Sequence, residues 1–275
     1  MTDKIANLPP VAQMMRDASM LAKKKFGQNF LFDLNLTGRI ARSVPNIDKI
    51  PVVEVGPGPA GLTRALLMAG AKRVVAVEMD KSTEPILSRV MDASDGRLTV
   101  IFGDALKTDF SKFGFSEYAI CSNLPYNVGT ELLIQWIHKI ANGEKIKSMT
   151  LMFQREVAER IIAKPNDDAY GRLSVLVQLV ADAKILFNVP RTAFTPAPKV
   201  TSAVVQIIPN ANKIKQLGNI ENIEKLTAKL FGTRRKMIRG IMPDVDWNMF
   251  NLIGTERAEN LSPEKFCEIA KKVLL

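Results

Sequence analysis

The chain has 275 residues, 38 of them Lys or Arg and 28 Asp or Glu, giving a net charge of +10 with one His and two Cys. No apolar run reaches the roughly 18 residues a membrane span needs, and neither a secretory nor a transit segment is read at the N-terminus. His138, Cys121 and Cys267 are too few and too scattered for a metal site or a disulfide framework, so a metal-free protein in a reducing cytoplasm is expected.

The positive excess points to an acidic partner, most simply nucleic acid. It is unevenly spread: +4 over residues 1–50, zero over 51–150, +2 over 151–212 and +4 over 213–275. A triad mechanism would have to use His138. That residue falls in the helical pattern LLIQWIHKIAN and reads as a solvated helix residue.

In chain order, PVAQMMRDASML near the N-terminus reads as a short helix packed on the core. PVVEV (51–55) is a buried strand, LTRALLMAG (62–70) a helix, and RVVAVEMD (73–80), LTVIFGD (98–104) and YAICSNL (118–124) are further strands. TELLIQWIHKIA (130–141) is helical and SMTLMFQ (148–154) extended. This alternation predicts right-handed crossovers and a parallel sheet, hence an α/β fold. EVAERIIAK (156–164) and LSVLVQLVADA (173–183) are predicted helices; AKILFNV (183–189) and SAVVQII (202–208) are predicted to pair antiparallel at the sheet edge. NANKIKQLGN (210–219) reads as a polar linker. Helices are predicted beyond it at 223–231, 233–241, 246–253 and 262–275, the last opened by Ser262, Pro263 and Glu264.

Chemistry concentrates at the strand ends. GPGPAG places Gly56, Gly58 and Gly61 at a strand-to-helix turn, where backbone can approach a ligand and a helix N-terminus offers unpaired N–H groups. Glu78 follows Gly56 by 22 residues at the end of the next strand, suited to ribose hydroxyls. Asp104 ends the third strand, where a carboxylate can accept from an adenine amino group, and Asn123-Leu124-Pro125-Tyr126 ends the fourth. Together with Glu54 these tips converge on one crevice. An NAD(P) oxidoreductase and an S-adenosylmethionine methyltransferase both fit the glycine loop.

The Asn-Leu-Pro-Tyr segment favours methylation of an exocyclic amine. The amino nitrogen of adenine must rehybridise before it attacks a methyl group. The Asn123 oxygen and a backbone carbonyl at the Leu-Pro step can accept its two N–H bonds and favour the developing charge. Pro125 fixes the turn and removes a donor. Tyr126 offers a ring face for stacking. The methylated ammonium is acidic once formed, so no strong base is required.

KKKFGQNFLFD (23–33), VVEVGPGPAGLTRALL, NLPYNVGTELL, MFQREVAERI, YGRLSV, FTPAPKVTSAV and FGTRRKMIRG, in this order, resemble the KsgA (RsmA) family of small-subunit rRNA adenine dimethyltransferases, relatives of the Erm enzymes. The resemblance spans about residues 22–275, with Pro59 departing from the family's bulky aliphatic. It implies a Rossmann-like class I methyltransferase sheet with a small α-helical C-terminal domain. Residues 1–22 are then an N-terminal extension, 23–209 the methyltransferase domain and 210–275 a helical RNA-binding domain. It implies S-adenosyl-L-methionine held by Gln28, Asn29, Leu31, Glu54, Gly56, Gly58, Glu78, Asp104, Ala105 and Asn123. Catalysis is assigned to Asn123, Leu124, Pro125, Tyr126 and Phe194, with Phe194 covering the second side of the base. RNA contact is assigned to Lys23, Lys24, Lys25, Arg155, Arg234, Arg235, Lys236 and Arg239. The last four lie in a stretch from Lys225 to Pro243 with six basic residues and no acid.

The implied activity is N6,N6-dimethylation of two adjacent adenosines in the 3′-terminal hairpin of small-subunit (16S) rRNA during ribosome biogenesis. The implied protein is a cytoplasmic monomer with the rRNA or pre-small subunit as partner. An Erm-like large-subunit rRNA methyltransferase is the nearest alternative, and a non-catalytic nucleic-acid-binding transcription factor on the same fold is another.

Overall fold

The computed structural model describes residues 4–19 and 29–273, so the expected contacts at Lys23, Lys24, Lys25 and Gln28 lie outside the described residues. The chain separates into two compact units, one of residues 1–133, 144–155 and 185–207, the other of 134–143, 156–184 and 208–275. The second unit therefore gathers internal segments as well as the C-terminal tail, in contrast to the contiguous division read from sequence.

In the first unit the N-terminal segment forms α1 (Val11–Asp17), which buries Val11, Met14 and Met15 in the main apolar core together with Ile5. The short strand β1 (Phe30–Leu31) precedes α2 (Leu34–Arg42). Asp33 caps α2 by accepting from the N–H groups of Asn35 (2.8 Å) and Leu36 (3.3 Å). Then come β2 (Val52–Val55), α3 (Gly61–Met68), β3 (Val74–Glu78), α4 (Glu84–Ala93), β4 (Leu98–Phe102), β5 (Tyr118–Asn123), α5 (Gly129–Ala141), β6 (Ile146–Gln154) and α6 (Arg155–Ile162). They are followed by α7 (Arg172–Val180), β7 (Ala181–Val189), β8 (Phe194–Thr195) and β9 (Ser202–Pro209); of these elements α7, nearly all of α6 and most of α5 belong to the second unit.

Seven strands form one sheet in the order β4-β3-β2-β5-β6-β9-β7. The pairs β3–β4, β2–β3, β2–β5 and β5–β6 are parallel, and β6–β9 is antiparallel. The predicted parallel strands are all present within a residue or two. The predicted edge strands are neighbours, with β9 also paired to β6. Strand alternation sends Val52, Val74, Ala76, Ala119 and Cys121 into one core with Ile40 and Ala41 of α2, Leu62, Ala65 and Leu66 of α3, and Ile86, Leu87 and Val90 of α4. The strand order reverses between β2 and β5, the position where an open α/β sheet leaves a crevice at its carboxyl edge.

In the second unit α7, α9 (Ile220–Phe231) and α11 (Pro263–Val273) pack together. Phe231 stacks on Phe266 at 5.5 Å and meets Tyr170 in a T-shaped arrangement at 6.0 Å, and the Tyr170 hydroxyl donates to the Leu261 carbonyl at 2.9 Å. His138 is not solvated as expected: its side chain is 20 % exposed, with Nε2 3.0 Å from Glu224 and Nδ1 3.8 Å from Glu221.

Four predicted elements differ. The helix read through 173–183 stops at Val180, because Ala181 enters the sheet as β7 and the Val180 carbonyl accepts from Asn210 N–H (2.9 Å). The polar stretch 210–219 is not a bare linker but carries α8 (Ala211–Gln216), capped by the Asn210 side chain. The basic stretch 233–241 is a turn followed by α10 (Ile238–Ile241), since Met237 bridges Arg257 in extended conformation and interrupts the helix. The segment 246–253 supplies a 3₁₀ turn at Trp247–Phe250. The cap predicted for the last helix is present, with Lys265 N–H donating to Ser262 Oγ at 3.3 Å.

Candidate active site

A cleft of about 360 Å³ opens at the carboxyl ends of the strands, lined entirely by residues of the first unit. Its floor exists because β2 and β5 stop pairing early. Their ladder holds at Val52↔Ala119 and Val53↔Ile120, and beyond it the Val55 N–H donates to the Ser122 hydroxyl (2.8 Å). A side chain thus replaces a backbone partner and the strands part beneath the glycine loop.

That loop runs through left-handed conformations at Gly56 (φ 69°), Gly58 (φ 52°) and Ala60 (φ 66°). A side chain at Gly58 would also come within 3.0 Å of the Phe30 ring. A Cβ at Gly61 would lie 2.5 Å from the Leu31 carbonyl oxygen, so β1 is seated directly against the start of α3. The first turn of α3 has no side-chain cap, and Gly61 and Leu62 line the cleft. A helix N-terminus left this way suits a carboxylate.

Glu78 ends β3 with both oxygens engaged: Gly58 N–H donates to Oε2 (2.9 Å) and Asp80 N–H to Oε1 (2.7 Å). Burial raises its pKa, opposed by those N–H groups. Glu54 lies on the same sheet face as Val52, beneath α3, and is 1 % exposed. Its Oε2 is buried without a hydrogen-bond partner among the described residues. Burial, opposed by the Thr63 hydroxyl and reinforced by the Glu78 charge, pushes Glu54 up to about 8. A buried carboxylate oxygen with no donor is costly unless a ligand supplies one. Asp104 continues the wall past β4 and fixes its turn by accepting from Leu106 N–H (3.0 Å). The lining holds Glu54, Glu78 and Asp104 and, among the described residues, no Lys, Arg or His.

At the mouth, the Asn123 amide donates to the Asn29 carbonyl (3.1 Å), which turns its oxygen away from that contact. Leu124 is buried, Pro125 packs 3.7 Å from the Cβ position of Gly56, and the Tyr126 and Ser202 hydroxyls share a hydrogen bond of 2.5 Å. The sequence-predicted Asn29, Leu31, Glu54, Gly56, Gly58, Glu78, Asp104, Ala105, Asn123, Leu124, Pro125 and Tyr126 all line this cleft. Phe194 does not. It is 4 % exposed and sits in β8 opposite Leu31 of β1. Met79, Pro59 and Asn127 line the cleft but were not singled out as ligand contacts, being next to recognised positions. Ser122 was missed as well; a hydroxyl inside the apolar run YAICSN was its signal.

The basic candidates are exposed: Arg155 at the start of α6, and Arg234, Arg235, Lys236 and Arg239 around the turn before α10. Arg234 is paired with Glu259 at 2.6 Å. No helix among the described residues is long and apolar enough to cross a membrane, and no cluster of His, Cys, Asp or Glu there could hold a metal ion.

A parallel sheet reversing at β2/β5, a glycine loop at the reversal and carboxylates at successive strand ends define the Rossmann-like class I methyltransferases. The chain belongs within that class to the ribosomal RNA adenine dimethylase family, whose profile matches residues 20–274. It is 46 % identical over 272 residues to the ribosomal RNA small subunit methyltransferase A of a Chelativorans species, covering 97 % of this chain and 98 % of that protein. The protein of the same name from Rhizobium etli is 47 % identical over 271 residues, with the same coverage. Among solved structures, a dimethyladenosine transferase from Plasmodium falciparum superposes with a TM-score of 0.72 at 25 % identity, over 88 % of this chain and 98 % of that one. The 23S rRNA methyltransferase ErmE shares the fold with a TM-score of 0.64 at 22 % identity, over 90 % and 100 % of the two chains.

Proposed function

We propose that this protein is a cytoplasmic, monomeric enzyme that uses S-adenosyl-L-methionine to dimethylate the N6 amino groups of two adjacent adenosines in the 3′-terminal hairpin of small-subunit (16S) rRNA, as a step of ribosome biogenesis. The observation that carries this reading is the placement of Asn123-Leu124-Pro125-Tyr126 at the mouth of a cleft lined by carboxylates. The near-full-length likeness to proteins named for small-subunit methylation favours that substrate over the large subunit.

The residues present fit the cofactor. The uncapped start of α3 suits its carboxylate, the unpartnered Glu54 oxygen its ammonium, Glu78 its ribose hydroxyls and Asp104 its adenine amino group. Leu31, Leu62 and Leu106 supply apolar walls. When bound, S-adenosyl-L-methionine supplies an electrophilic methyl group.

The chain's own residues prepare the amine. Asn29 anchors the Asn123 amide through its nitrogen, so the Asn123 oxygen is presented to a substrate N–H. The Leu124 carbonyl, held by Pro125, is the second acceptor. Both favour positive charge developing on the amine and are preorganised by the fold. Acceptors of this kind also admit a monomethylated amine, which the second transfer requires. Tyr126 stacks on the extruded base. Exposed Arg155, Arg235, Lys236 and Arg239 contact the RNA backbone.

Incubating the protein with labelled S-adenosyl-L-methionine and undermethylated small subunits, followed by mapping of labelled nucleotides, tests the reading. Label in the adjacent adenosines of the small subunit is expected. Asn123→Ala should reduce it by about 100-fold or more. Label on large-subunit RNA, or full activity in that variant, would overturn the assignment.

A further inference from the structure

Tyr126 is held by a residue that belongs to neither the motif nor the cleft lining. The hydroxyls of Tyr126 and Ser202, 76 residues apart in sequence, share a 2.5 Å hydrogen bond. Ser202 is fully buried and opens β9. Its backbone is fixed on the sheet: Ser202 stands opposite Gln154 in the β6–β9 ladder, and the preceding Thr201 carbonyl accepts from Arg155 N–H at 2.9 Å.

Tyr126 lies three residues past the end of β5. The strands β5, β6 and β9 are consecutive in the sheet. The phenol therefore reaches across β6 to a strand two spacings away, each spacing roughly 4.8 Å. The ring itself is half-buried, so part of its surface stays open to a ligand at the cleft mouth. Burial raises the Tyr126 pKa, which keeps the phenol protonated and the contact a neutral hydroxyl pair.

We propose that Ser202 is a positioning residue for methyl transfer, fixing the ring of Tyr126 in the plane on which the target adenine stacks. The proposal rests on the reading of Tyr126 as the stacking surface. A tyrosine in a turn has two rotatable side-chain bonds, and a base stacked on a swinging ring presents its amine at a changing angle. Reaction requires the attacking nitrogen near contact distance and in line, so small angular errors cost rate more than affinity. The hydroxyl pair ties the far end of the ring to β9, which is itself paired to β6. Asn123 is anchored through Asn29 in the same way, so each polar side chain of the motif has its own external pin.

Tyr126→Phe, Ser202→Ala, their double variant, Ser202→Thr and Tyr126→Ala would be assayed on undermethylated small subunits for kcat and KM, with the cofactor dissociation constant measured separately. Tyr126→Phe and Ser202→Ala should each lower kcat about tenfold, the worth of one buried hydrogen bond. Cofactor affinity should stay within about twofold. The double variant should be no worse than either single one, because both remove the same bond. Ser202→Thr should restore most of the rate. Tyr126→Ala should lose far more. If Tyr126→Ala is inactive while Ser202→Ala turns over at the full rate, the positioning role fails and the stacking role stands. If the two losses multiply in the double variant, the residues act independently and the proposal also fails. If Tyr126→Ala is fully active, the stacking reading fails first. Loss of cofactor affinity in parallel with kcat in Ser202→Ala would show a merely structural role.

Discussion

Replacing Glu54 by Gln is expected to make the cofactor-free protein more stable at alkaline pH and to leave it unchanged in acid. Glu54 is 1 % exposed, its Oε2 has no hydrogen-bond partner among the described residues, and burial holds it at about 8 against 4.5 in the unfolded chain. Between those values the folded chain keeps a proton that the unfolded chain releases, so raising the pH favours unfolding. The stability linked to Glu54 is fully present below pH 4.5, declines as pH rises to about 8 and is level above it. The gap between the two values, at about 1.36 kcal/mol per pH unit, sets a total decline of about 5 kcal/mol, of which about 3 kcal/mol is gone by pH 7. Gln has the same shape and no charge to lose. Paired thermal melts of wild type and Glu54→Gln without cofactor should coincide within a few degrees at pH 5. They should separate to about 10 °C by pH 8, with the variant higher. Parallel Tm profiles across this range would refute the burial argument, because the changed hydrogen bonding of the amide shifts Tm equally at every pH and only ionisation of Glu54 makes the difference pH-dependent.

Three further outcomes are expected. Gly61→Ala places a methyl 2.5 Å from the Leu31 carbonyl and should cost about 1–3 kcal/mol by urea denaturation while weakening cofactor binding; an unchanged midpoint would show β1 is not seated there. Arg64, 2 % exposed, donates to the carbonyls of Ile5 (3.2 Å), Leu8 (3.1 Å) and Pro9 (2.6 Å), so Arg64→Met should cost about 3 kcal/mol and expose the N-terminal segment to limited proteolysis. Equal cleavage of both proteins would count against this anchor. Reversing charge at Arg235 and Lys236 should weaken RNA binding and lower the slope of log affinity against log salt by about 1 for each phosphate no longer neutralised. A slope equal to wild type would remove that turn from the RNA interface.

The sheet was legible because its strands are short continuous apolar runs, each ending in a residue with a different chemical character. Glu54, Glu78, Asp104 and Asn123 could be aligned on one edge from strand order alone, and the cleft contains all four. What stayed hidden depended on partners distant in sequence. The helices α2 and α4 were not read: α2 begins at an Asp33 cap inside FLFDLNL, and α4 at a Thr83-Glu84-Pro85 start whose apolar face is short. The basic stretch at 233–241 looked helical because Arg234, Arg235, Lys236, Met237 and Arg239 favour a helix; the bridge between Met237 and Arg257 breaks it, and no local pattern announces a bridge. Phe194 carries no periodicity, and only its pairing with Leu31 shows that it is buried. Ser202 reads as the first residue of a strand. Its contact with Tyr126 exists only once β6 and β9 are paired.

The absence of Lys, Arg and His from the described cleft lining bears on which metabolites can compete for it. A glycine loop leading into an uncapped helix is otherwise a good receptor for a phosphate. Here Glu78 stands beneath it and Asp104 flanks it, so a di- or triphosphate would be placed against carboxylates, with no Lys, Arg or His in the described lining. Adenine nucleotides and dinucleotides share the adenosine portion the cleft is shaped for, yet they carry the wrong charge beyond the ribose. A nucleoside bearing a cationic tail has the right one. The described lining thus disfavours phosphorylated adenosines by charge.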